Sequence, residues 1–219
     1  MCSGGAVVQD DYERLLRVIA YLKSKHSEVT RVWKEHTGFT VNLGKTYICS
    51  LDRGQGLYDD ILGYSQLLNE IGADISLELS QFSFGITSRV KTQNSIADKI
   101  ENYKGERHEF GKIPINKCLN DLFGARIVLQ ETHSFGDIHQ FVSQYCPQVF
   151  RCIDSSKNGY RATHLYFKFD NFSFQWELQV WNEKDRVNNL LSHKQYKQAY
   201  IKWEKESEQE NEKGGIAND

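Results

Sequence analysis

The chain has 219 residues, of which 39% are hydrophobic, and its formal net charge of −2 excludes binding to nucleic acid through an overall basic field. No apolar run reaches the roughly 18 residues that a membrane-spanning helix needs, and residues 1–5 lack the basic and apolar segments of a signal peptide, so we expect a cytoplasmic protein. The five cysteines are scattered without a CxxC pair, which indicates neither a zinc knuckle nor a disulfide framework.

The first elements predicted along the chain are helices. Residues 10–36 carry apolar side chains at helical spacing. A second helical pattern begins at Leu57, after a glycine-containing interruption at residues 38–56. Residues 82–91 then alternate between apolar and polar side chains, which predicts the first strand.

Helices and strands are predicted to alternate through the middle of the chain. Asn94 is predicted to cap a short helix that ends at Tyr103. Alternating polarity predicts a strand at residues 125–129, and a helix at residues 134–145 is expected to lead into a short strand at residues 149–153.

The most regular alternation comes last. Residues 161–170 and 172–182 predict two strands joined by a tight hairpin turn at Asp170-Asn171, and a helix is predicted at residues 188–210. We therefore predict an α/β (α+β) single domain, in which a mixed sheet of about five strands is flanked by helices.

The first of three polar clusters follows the first predicted strand. Arg89 and Lys91 end that strand, and Ser95 and Lys99 belong to the helix after it. Cations beside a helix N-terminus can bind phosphate groups, because the backbone N–H groups and the helix dipole also favour an anion there. A solvated basic strand end is the alternative interpretation.

The second cluster surrounds Asp121, which precedes the strand at residues 125–129. A carboxylate in that position can ligate magnesium, which prefers hard oxygen ligands. Arg126 is predicted on the strand face opposite Ala125 and Ile127, where it would face a cleft or solvent. An acidic loop with an exposed arginine is the alternative.

The third cluster combines a turn with the last strand. Lys157-Asn158-Gly159-Tyr160 is a turn signal that carries an aromatic ring suited to stacking on a base. Glu177 and Gln179 lie on the polar face of a strand that is otherwise strongly apolar, and a buried carboxylate is unfavourable unless it is paired or liganded. An ion pair of Glu177 with Arg161 or His164 across the hairpin is the structural alternative.

In this order and spacing the three clusters resemble the synthetase domain of the RelA/SpoT family of nucleotide pyrophosphokinases, from about Phe84 to Tyr200. The matching segments are Arg89-Val90-Lys91 with Ser95 and Lys99, residues 121–127, residues 157–164, and Glu177 with Gln179. The resemblance implies a nucleotidyltransferase-like fold, with residues 1–80 as an N-terminal helical region, residues 81–182 as the catalytic core, and residues 183–219 as a C-terminal helix and frayed tail.

The resemblance also implies a role for each matching residue on the ATP side. Arg89 and Arg126 resemble the pair of guanidinium groups that hold the adenine of ATP between them. Lys91, Ser95 and Lys99 would bind its phosphates.

On the acceptor side, Asp121 and Glu177 resemble the magnesium-binding and catalytic pair, with Glu177 also accepting the proton of the attacking 3′-hydroxyl. Tyr160 resembles the ring that stacks on the acceptor base. The remaining acceptor-binding residues implied are Lys157, Asn158, His164 and Gln179.

The implied activity is transfer of pyrophosphate from ATP to the ribose 3′-hydroxyl of GDP or GTP. The chain lacks the family's upstream hydrolase region and regulatory tail, so it resembles a stand-alone small alarmone synthetase, a type that often forms homo-oligomers. Val180-Trp181-Asn182 stands where the housekeeping enzymes have Ile-Arg-Thr, and the segment from Ser192 to Lys197 also departs from the family pattern.

These departures occur in the toxic small alarmone synthetases, which leaves a second hypothesis open. Such an enzyme would modify the 3′ end of tRNA or an adenine nucleotide and would have an antitoxin as partner. The cations that could then contact tRNA phosphates are Arg14, Arg17, Lys23, Lys25, Lys194, Lys197 and Lys202, for which a solvated helix face is the alternative. A catalytically silent nucleotide- or RNA-binding module is disfavoured, because both carboxylates and the phosphate-binding cations are present.

Overall fold

The computed structural model describes residues 4–82 and 85–192. Its helices are α1 (Gly4–Thr37), α2 (Leu57–Phe82), α3 (Gln93–Lys104), α4 (Ile115–Cys118) and α5 (Phe135–Tyr145). Its strands are β1 (Thr87–Val90), β2 (Phe123–Leu129), β3 (Arg151–Asp154), β4 (Thr163–Phe167) and β5 (Trp176–Asn182). The predicted α/β fold with a sheet of five strands is confirmed.

The five strands form one mixed sheet in the order β1-β2-β5-β4-β3. Strands β2 and β5 are parallel, and the other three neighbouring pairs are antiparallel. The two parallel strands lie in the centre and are almost entirely buried. Residues of β2 and β5, which are about fifty positions apart in the chain, therefore lie side by side.

The sheet has two unlike faces. On one face the alternate residues Phe123, Ala125 and Ile127 of β2 join the main hydrophobic core, together with buried side chains of α1 and α2. Trp176 of β5 belongs to the same core and donates a hydrogen bond of 2.9 Å to the hydroxyl of Tyr64 on α2. The opposite face carries polar side chains, which alternation along each strand places away from the core.

Two predicted boundaries at the start of the sheet are wrong. The strand predicted at residues 82–91 begins only at Thr87, because α2 extends through Phe82, whose ring packs against Tyr21 at 5.2 Å. Thr92, rather than Asn94, caps α3: its side chain accepts a hydrogen bond from the backbone N–H of Ser95.

The hairpin between β4 and β5 is wider than predicted. Residues 168–175 connect the strands, because the hydroxyl of Ser173 accepts hydrogen bonds from the backbone N–H groups of Phe169 and Asp170 and holds a loop instead of a two-residue turn. Strand β4 also begins later than predicted, since both backbone polar groups of Arg161 bond to the side chain of Asn189.

The structure describes only the start of the C-terminal helix that was predicted at residues 188–210, and residues 186–192 are helical. Its remainder lies outside the described residues, and so do Lys194, Lys197 and Lys202. In the described part of the chain, no helix is long and apolar enough to cross a membrane.

Candidate active site

One row of paired residues crosses the polar face of the sheet. Arg89 of β1 pairs with Gly124 of β2, which pairs with Glu177 of β5; Glu177 in turn pairs with Tyr166 of β4, and Tyr166 with Arg151 of β3. Directly paired residues share a face of the sheet, so the five positions form a line with the carboxylate of Glu177 at its centre. We call this line the Glu177 row.

Glu177 is buried, with 6% of its surface exposed, and both of its carboxylate oxygens are hydrogen-bonded. Oε1 accepts from the hydroxyl of Tyr166 at 2.9 Å and lies 2.9 Å from Nδ1 of His164, while Oε2 accepts from Nε2 of Gln179 at 2.9 Å. Burial alone would raise the pKa of Glu177, but the bonds from His164 and Gln179 hold that pKa below its ordinary value. Glu177 is therefore ionised at neutral pH.

The alternative of an ion pair across the hairpin is thus partly confirmed, with His164 as the partner. The hydroxyl of Tyr160 accepts a hydrogen bond from Trp181 Nε1 at 3.1 Å and lies 2.9 Å from Nε2 of His164. The ring of His164 therefore lies between Tyr160 and Glu177 and contacts both.

Asp121 lies between two lysines just before β2. Its Oδ2 is 3.0 Å from Lys91 Nζ and its Oδ1 is 2.9 Å from Lys99 Nζ. Burial would raise the pKa of Asp121, but the ammonium groups of Lys99 and Lys91 outweigh burial and lower the pKa. The same charge on Asp121 raises the pKa of Lys99 against the opposing effect of its burial. The cluster carries a net positive charge, as a phosphate site requires.

Arg126 connects the centre of the sheet to Trp181. Its Nε and one terminal nitrogen donate to Gln179 Oε1 at 3.2 and 3.0 Å, and its guanidinium carbon lies 3.6 Å from the centroid of the Trp181 ring. Burial lowers the pKa of Arg126, and the charge of Arg89 acts in the same direction. Arg89 pairs with Gly124, two positions from Arg126, so both arginines lie on the same face of the sheet; their role as a pair around adenine stays a prediction.

The turn that presents Tyr160 has the predicted residues in the expected conformation. Asn158 and Gly159 have φ values of +48° and +83°, and the backbones of Lys157 and Tyr160 exchange hydrogen bonds of 3.0 and 2.9 Å. Positive φ at both central positions is what a two-residue Asn-Gly turn requires. Lys157 and Asn158 are exposed at this turn.

Ser95 lies in the first turn of α3, where its hydroxyl is 2.9 Å from that of Thr92. Strand pairing places five of the predicted residues on one face of the sheet, namely Arg89, Arg126, His164, Glu177 and Gln179. Two residues of the Glu177 row, Tyr166 and Arg151, were not predicted. Tyr166 could have been found from alternation, because it lies two positions after His164 on the same strand face.

Three of the four cations of α1 that were considered for tRNA binding have partners within the protein. Arg14 forms an ion pair of 2.9 Å with Asp11, and Lys25 forms one of 3.2 Å with Glu28. Lys23 donates to a backbone carbonyl of the loop between β4 and β5 at 3.2 Å. These contacts favour the alternative of structural and solvated roles for these three side chains.

The predicted metal-binding residues are both carboxylates, the kind of oxygen ligand that magnesium prefers. Among the described residues there is no cluster of three or more histidine, cysteine, aspartate or glutamate side chains. Magnesium in phosphoryl-transfer sites is typically bound by one or two carboxylates together with substrate phosphates and water. Asp121 and Glu177 are two such carboxylates, and the charge of Asp121 acts to raise the pKa of Glu177.

A family model described as "Region found in RelA / SpoT proteins" matches residues 88–200. The small alarmone synthetase 2 from Bacillus subtilis is 22% identical, with 66% of this chain and 82% of that chain covered and a TM-score of 0.38. The small alarmone synthetase 1 from Bacillus subtilis is 18% identical, with 72% and 96% covered and a TM-score of 0.37.

A structure of that second enzyme bound to AMPCPP matches with 18% identity, coverage of 65% and 76%, and a TM-score of 0.34. No curated protein matches the sequence. The family model covers just over half of the chain, so this protein belongs to the RelA/SpoT family and is a pyrophosphotransferase.

Proposed function

We propose that the protein transfers the β,γ-pyrophosphate of ATP to the ribose 3′-hydroxyl of GDP or GTP and releases AMP. The observation that carries the proposal is the position of Glu177, an ionised carboxylate in the central strand with cations on one side of it and an aromatic turn on the other. A reaction that needs positioning, charge neutralisation and one proton acceptor fits such a face.

ATP is assigned to the β1, β2 and α3 side of Glu177. The adenine would lie between the guanidinium groups of Arg89 and Arg126, since guanidinium planes stack on aromatic rings. The β- and γ-phosphates would lie against Lys91 and Lys99, whose ammonium groups both form ion pairs with Asp121. Ser95 at the start of α3 would add a hydroxyl donor to these phosphates.

The acceptor is assigned to the β4 side. Its base would stack on Tyr160, with Lys157 and Asn158 beside it at the turn. His164 and Gln179 hold Glu177 in place, and they would face the ribose that carries the attacking hydroxyl.

The proposed reaction uses these positions. The 3′-oxygen forms a bond to the β-phosphorus of ATP, the bond from that phosphorus to the oxygen bridging the α- and β-phosphates breaks, and AMP leaves. The hydroxyl proton passes to Glu177, which is ionised and whose two oxygens accept hydrogen bonds from Tyr166 and Gln179. Asp121 and Glu177 are the residues that would hold magnesium, which supplies charge neutralisation at the phosphate oxygens.

The acceptor is tested by offering the protein ATP labelled at the γ-phosphate with GDP, GTP or deacylated tRNA in separate reactions. Label on GDP or GTP with equimolar release of AMP is the expected result. Label on tRNA alone would refute the guanine-nucleotide acceptor and support the toxic-enzyme alternative, in which an antitoxin partner is implied. Label on none of them would refute the proposed transfer.

A further inference from the structure

Gly124 lies in the Glu177 row between two residues with long side chains and has none itself. It pairs with Arg89 of β1 on one side and with Glu177 of β5 on the other, within the buried strand β2. Glycine weakens the interior of a strand, because it has no side chain to pack and loses more conformational freedom on folding than other residues. The protein must therefore gain something else from a glycine at this position.

Neither the backbone nor the packing requires a glycine there. Gly124 lies in an extended strand, unlike Gly111, whose φ of +78° favours a residue without a Cβ. Beyond the adjacent residues, a Cβ atom at Gly124 would meet no heavy atom closer than 3.9 Å, which is ordinary van der Waals contact. A Cβ at Gly111 would lie 2.8 Å from the backbone nitrogen of Cys49. Alanine would therefore fit at Gly124 without displacing its neighbours.

The side chain of Arg89 lies across Gly124. The two atoms nearest to a Cβ at Gly124 would be Cγ and Nε of Arg89, both at 3.9 Å. Gly124 is buried, whereas Arg89 is exposed. The arginine therefore extends from the edge strand β1 over β2, with part of its surface still open to solvent and to a ligand.

This course of the Arg89 side chain suits the proposed adenine site. Arg126 follows Gly124 by two positions and lies on the same face of β2. Its guanidinium is held by Gln179 and by the ring of Trp181. Two guanidinium groups can hold one adenine between them only if both are directed to the same place, and Arg89 starts one strand further out.

A larger side chain at residue 124 would change the course of Arg89. The γ-carbons of a valine extend about 1.5 Å beyond the Cβ, and carbon atoms in contact are about 3.5–4 Å apart, so valine and Arg89 would compete for the same space. Alanine adds only the Cβ, which leaves room for Arg89. The two substitutions therefore separate the loss of the glycine from the displacement of the arginine.

We infer that Gly124 is a positioning residue, whose missing side chain lets Arg89 lie across β2 and thereby places the guanidinium that binds the adenine of ATP. The inference rests on the proposed function, because it deepens the assignment of ATP to the β1 and β2 side. Gly124 contributes through Arg89 and makes no polar side-chain contact of its own.

The test measures the binding of AMPCPP, an analogue of ATP, by calorimetric titration without an acceptor. Gly124→Val is expected to weaken binding by about 10- to 100-fold, and Gly124→Ala by less than about threefold. Gly124→Ser, which adds one γ-atom, should fall between them and serves as the variant if Gly124→Val does not fold. Gly136→Ala is the matched control, at an exposed glycine of α5 whose added Cβ would lie 3.5 Å from Ser134 Oγ, and it should bind AMPCPP as the wild-type protein does.

A double-mutant cycle decides whether Gly124 acts through Arg89. Arg89→Ala is expected to weaken AMPCPP binding by itself, and Gly124→Val should then weaken it by less than about a further threefold. If Gly124→Val weakens binding by the same factor with and without Arg89, the inference is overturned, because residue 124 would act on ATP or on the sheet directly. Equal AMPCPP affinity of Gly124→Val and the wild-type protein would overturn it as well.

Steady-state rates with ATP and GDP give a readout that a distorted sheet would not reproduce. In Gly124→Val the KM for ATP should rise by a factor similar to the loss of AMPCPP affinity, while the KM for GDP stays within twofold. A KM for GDP that rises as much as the KM for ATP would count against the inference, since the substitution would then have disturbed the whole face.

The two proposals fail differently. Loss of AMPCPP binding in Gly124→Val that depends on Arg89, in a protein whose wild type transfers pyrophosphate to no acceptor, would support the inference and refute the proposed function. Transfer to GDP by Gly124→Val with the wild-type KM for ATP would do the reverse.

Discussion

The imidazole Nδ1 of His164 lies 2.9 Å from Oε1 of Glu177, and the same ring contacts the hydroxyl of Tyr160 through Nε2 at 2.9 Å. The residue that would accept the reaction's proton and the residue that would stack on the acceptor base are therefore joined by one side chain. The contact with Glu177 depends on the antiparallel pairing of β4 with β5, which sets His164 opposite Gln179, two positions from Glu177 on the same face.

Removal of this contact is expected to change the pH dependence of the reaction. The pKa of Glu177 is held below the ordinary value of 4.5, and His164 supplies the first of the interactions that lower it against the effect of burial. In His164→Phe the pKa of Glu177 rises, so a larger fraction is protonated in mildly acidic solution and the acidic limb of kcat/KM moves to higher pH. Rate profiles between about pH 4 and pH 8 measure the shift. His164→Asn can still donate a hydrogen bond to Glu177, so its acidic limb should shift less. The same acidic limb in the wild-type protein and both variants would contradict the prediction.

Replacement of the central carboxylate is expected to abolish transfer. Glu177→Gln keeps a side chain of the same size but cannot accept the proton of the 3′-hydroxyl, so we expect a loss of about 10²- to 10⁴-fold in kcat. Transfer of label from ATP measures the loss, and the melting temperature checks that the fold is retained. Glu183→Gln, at an exposed glutamate just beyond β5, is the matched control and should keep full activity. Retained activity in Glu177→Gln would refute the role assigned to Glu177.

The ion-pair cluster around Asp121 is expected to make stability depend on pH. The pKa of Asp121 is lower in the folded protein than its ordinary value of 3.8, because Lys99 and Lys91 outweigh the effect of burial. A group of this kind stabilises the folded state above its unfolded pKa, and the contribution is lost as the pH falls below about 4. Asp121→Asn should therefore lower the free energy of unfolding by roughly 1–3 kcal/mol at pH 7 and by less near pH 3.

Urea titrations of the wild-type protein and Asp121→Asn at the two pH values provide the measurement. Asp52→Asn, at an exposed aspartate before α2, serves as the comparison for a carboxylate outside the cluster. The prediction is contradicted if the difference in unfolding free energy between wild type and Asp121→Asn is as large at pH 3 as at pH 7.

Trp181 is expected to serve both substrates through different parts of its side chain. Its indole N–H donates to Tyr160 at 3.1 Å, and its ring supports the guanidinium of Arg126 at 3.6 Å. Trp181→Phe keeps a ring but loses the donor, so it should raise the KM for the acceptor and leave the KM for ATP nearly unchanged. Trp181→Ala loses both and should raise both KM values, by about 3- to 30-fold for ATP. Equal effects of the two variants on ATP would show that the ring does not support Arg126.

The hydrogen bond between α2 and the central strand is expected to matter for stability alone. Trp176 Nε1 donates to the hydroxyl of Tyr64 at 2.9 Å in the fully buried core. Tyr64→Phe leaves this N–H without a partner, which should lower the free energy of unfolding by about 1–3 kcal/mol. Urea unfolding measures the change, and the KM values for both substrates should stay as in the wild-type protein. A changed KM would indicate that α2 positions the active face.

Much of the fold follows from local patterns in the chain. Alternation through residues 176–182 places Glu177, Gln179 and Trp181 on one face, and the structure confirms that division. Helix α5 begins where the sequence predicts it, because Ser134 and Asp137 form a reciprocal cap that depends only on residues three positions apart. The order of the three clusters along the chain was sufficient to indicate the RelA/SpoT family.

The ends of some helices and strands are decided by tertiary contacts, which no local sequence pattern contains. Phe82 fits an alternating strand as well as it fits the end of a helix, and its contact with Tyr21 of α1 decides for the helix. No sequence pattern around Ser173 predicts that its hydroxyl accepts the two backbone hydrogen bonds that hold the loop before β5.

By itself the sequence determined which residue types face the active side of each strand, because side-chain direction alternates within a strand whatever its neighbours are. Only the tertiary structure decided which strands are neighbours, and hence that Arg89, Glu177 and Arg151 share one row. Strand pairing joins segments distant in the chain through backbone hydrogen bonds, which carry no side-chain identity. The place of Arg151 in that row follows from the pairing of β3 with β4 and of β4 with β5, and not from any local pattern.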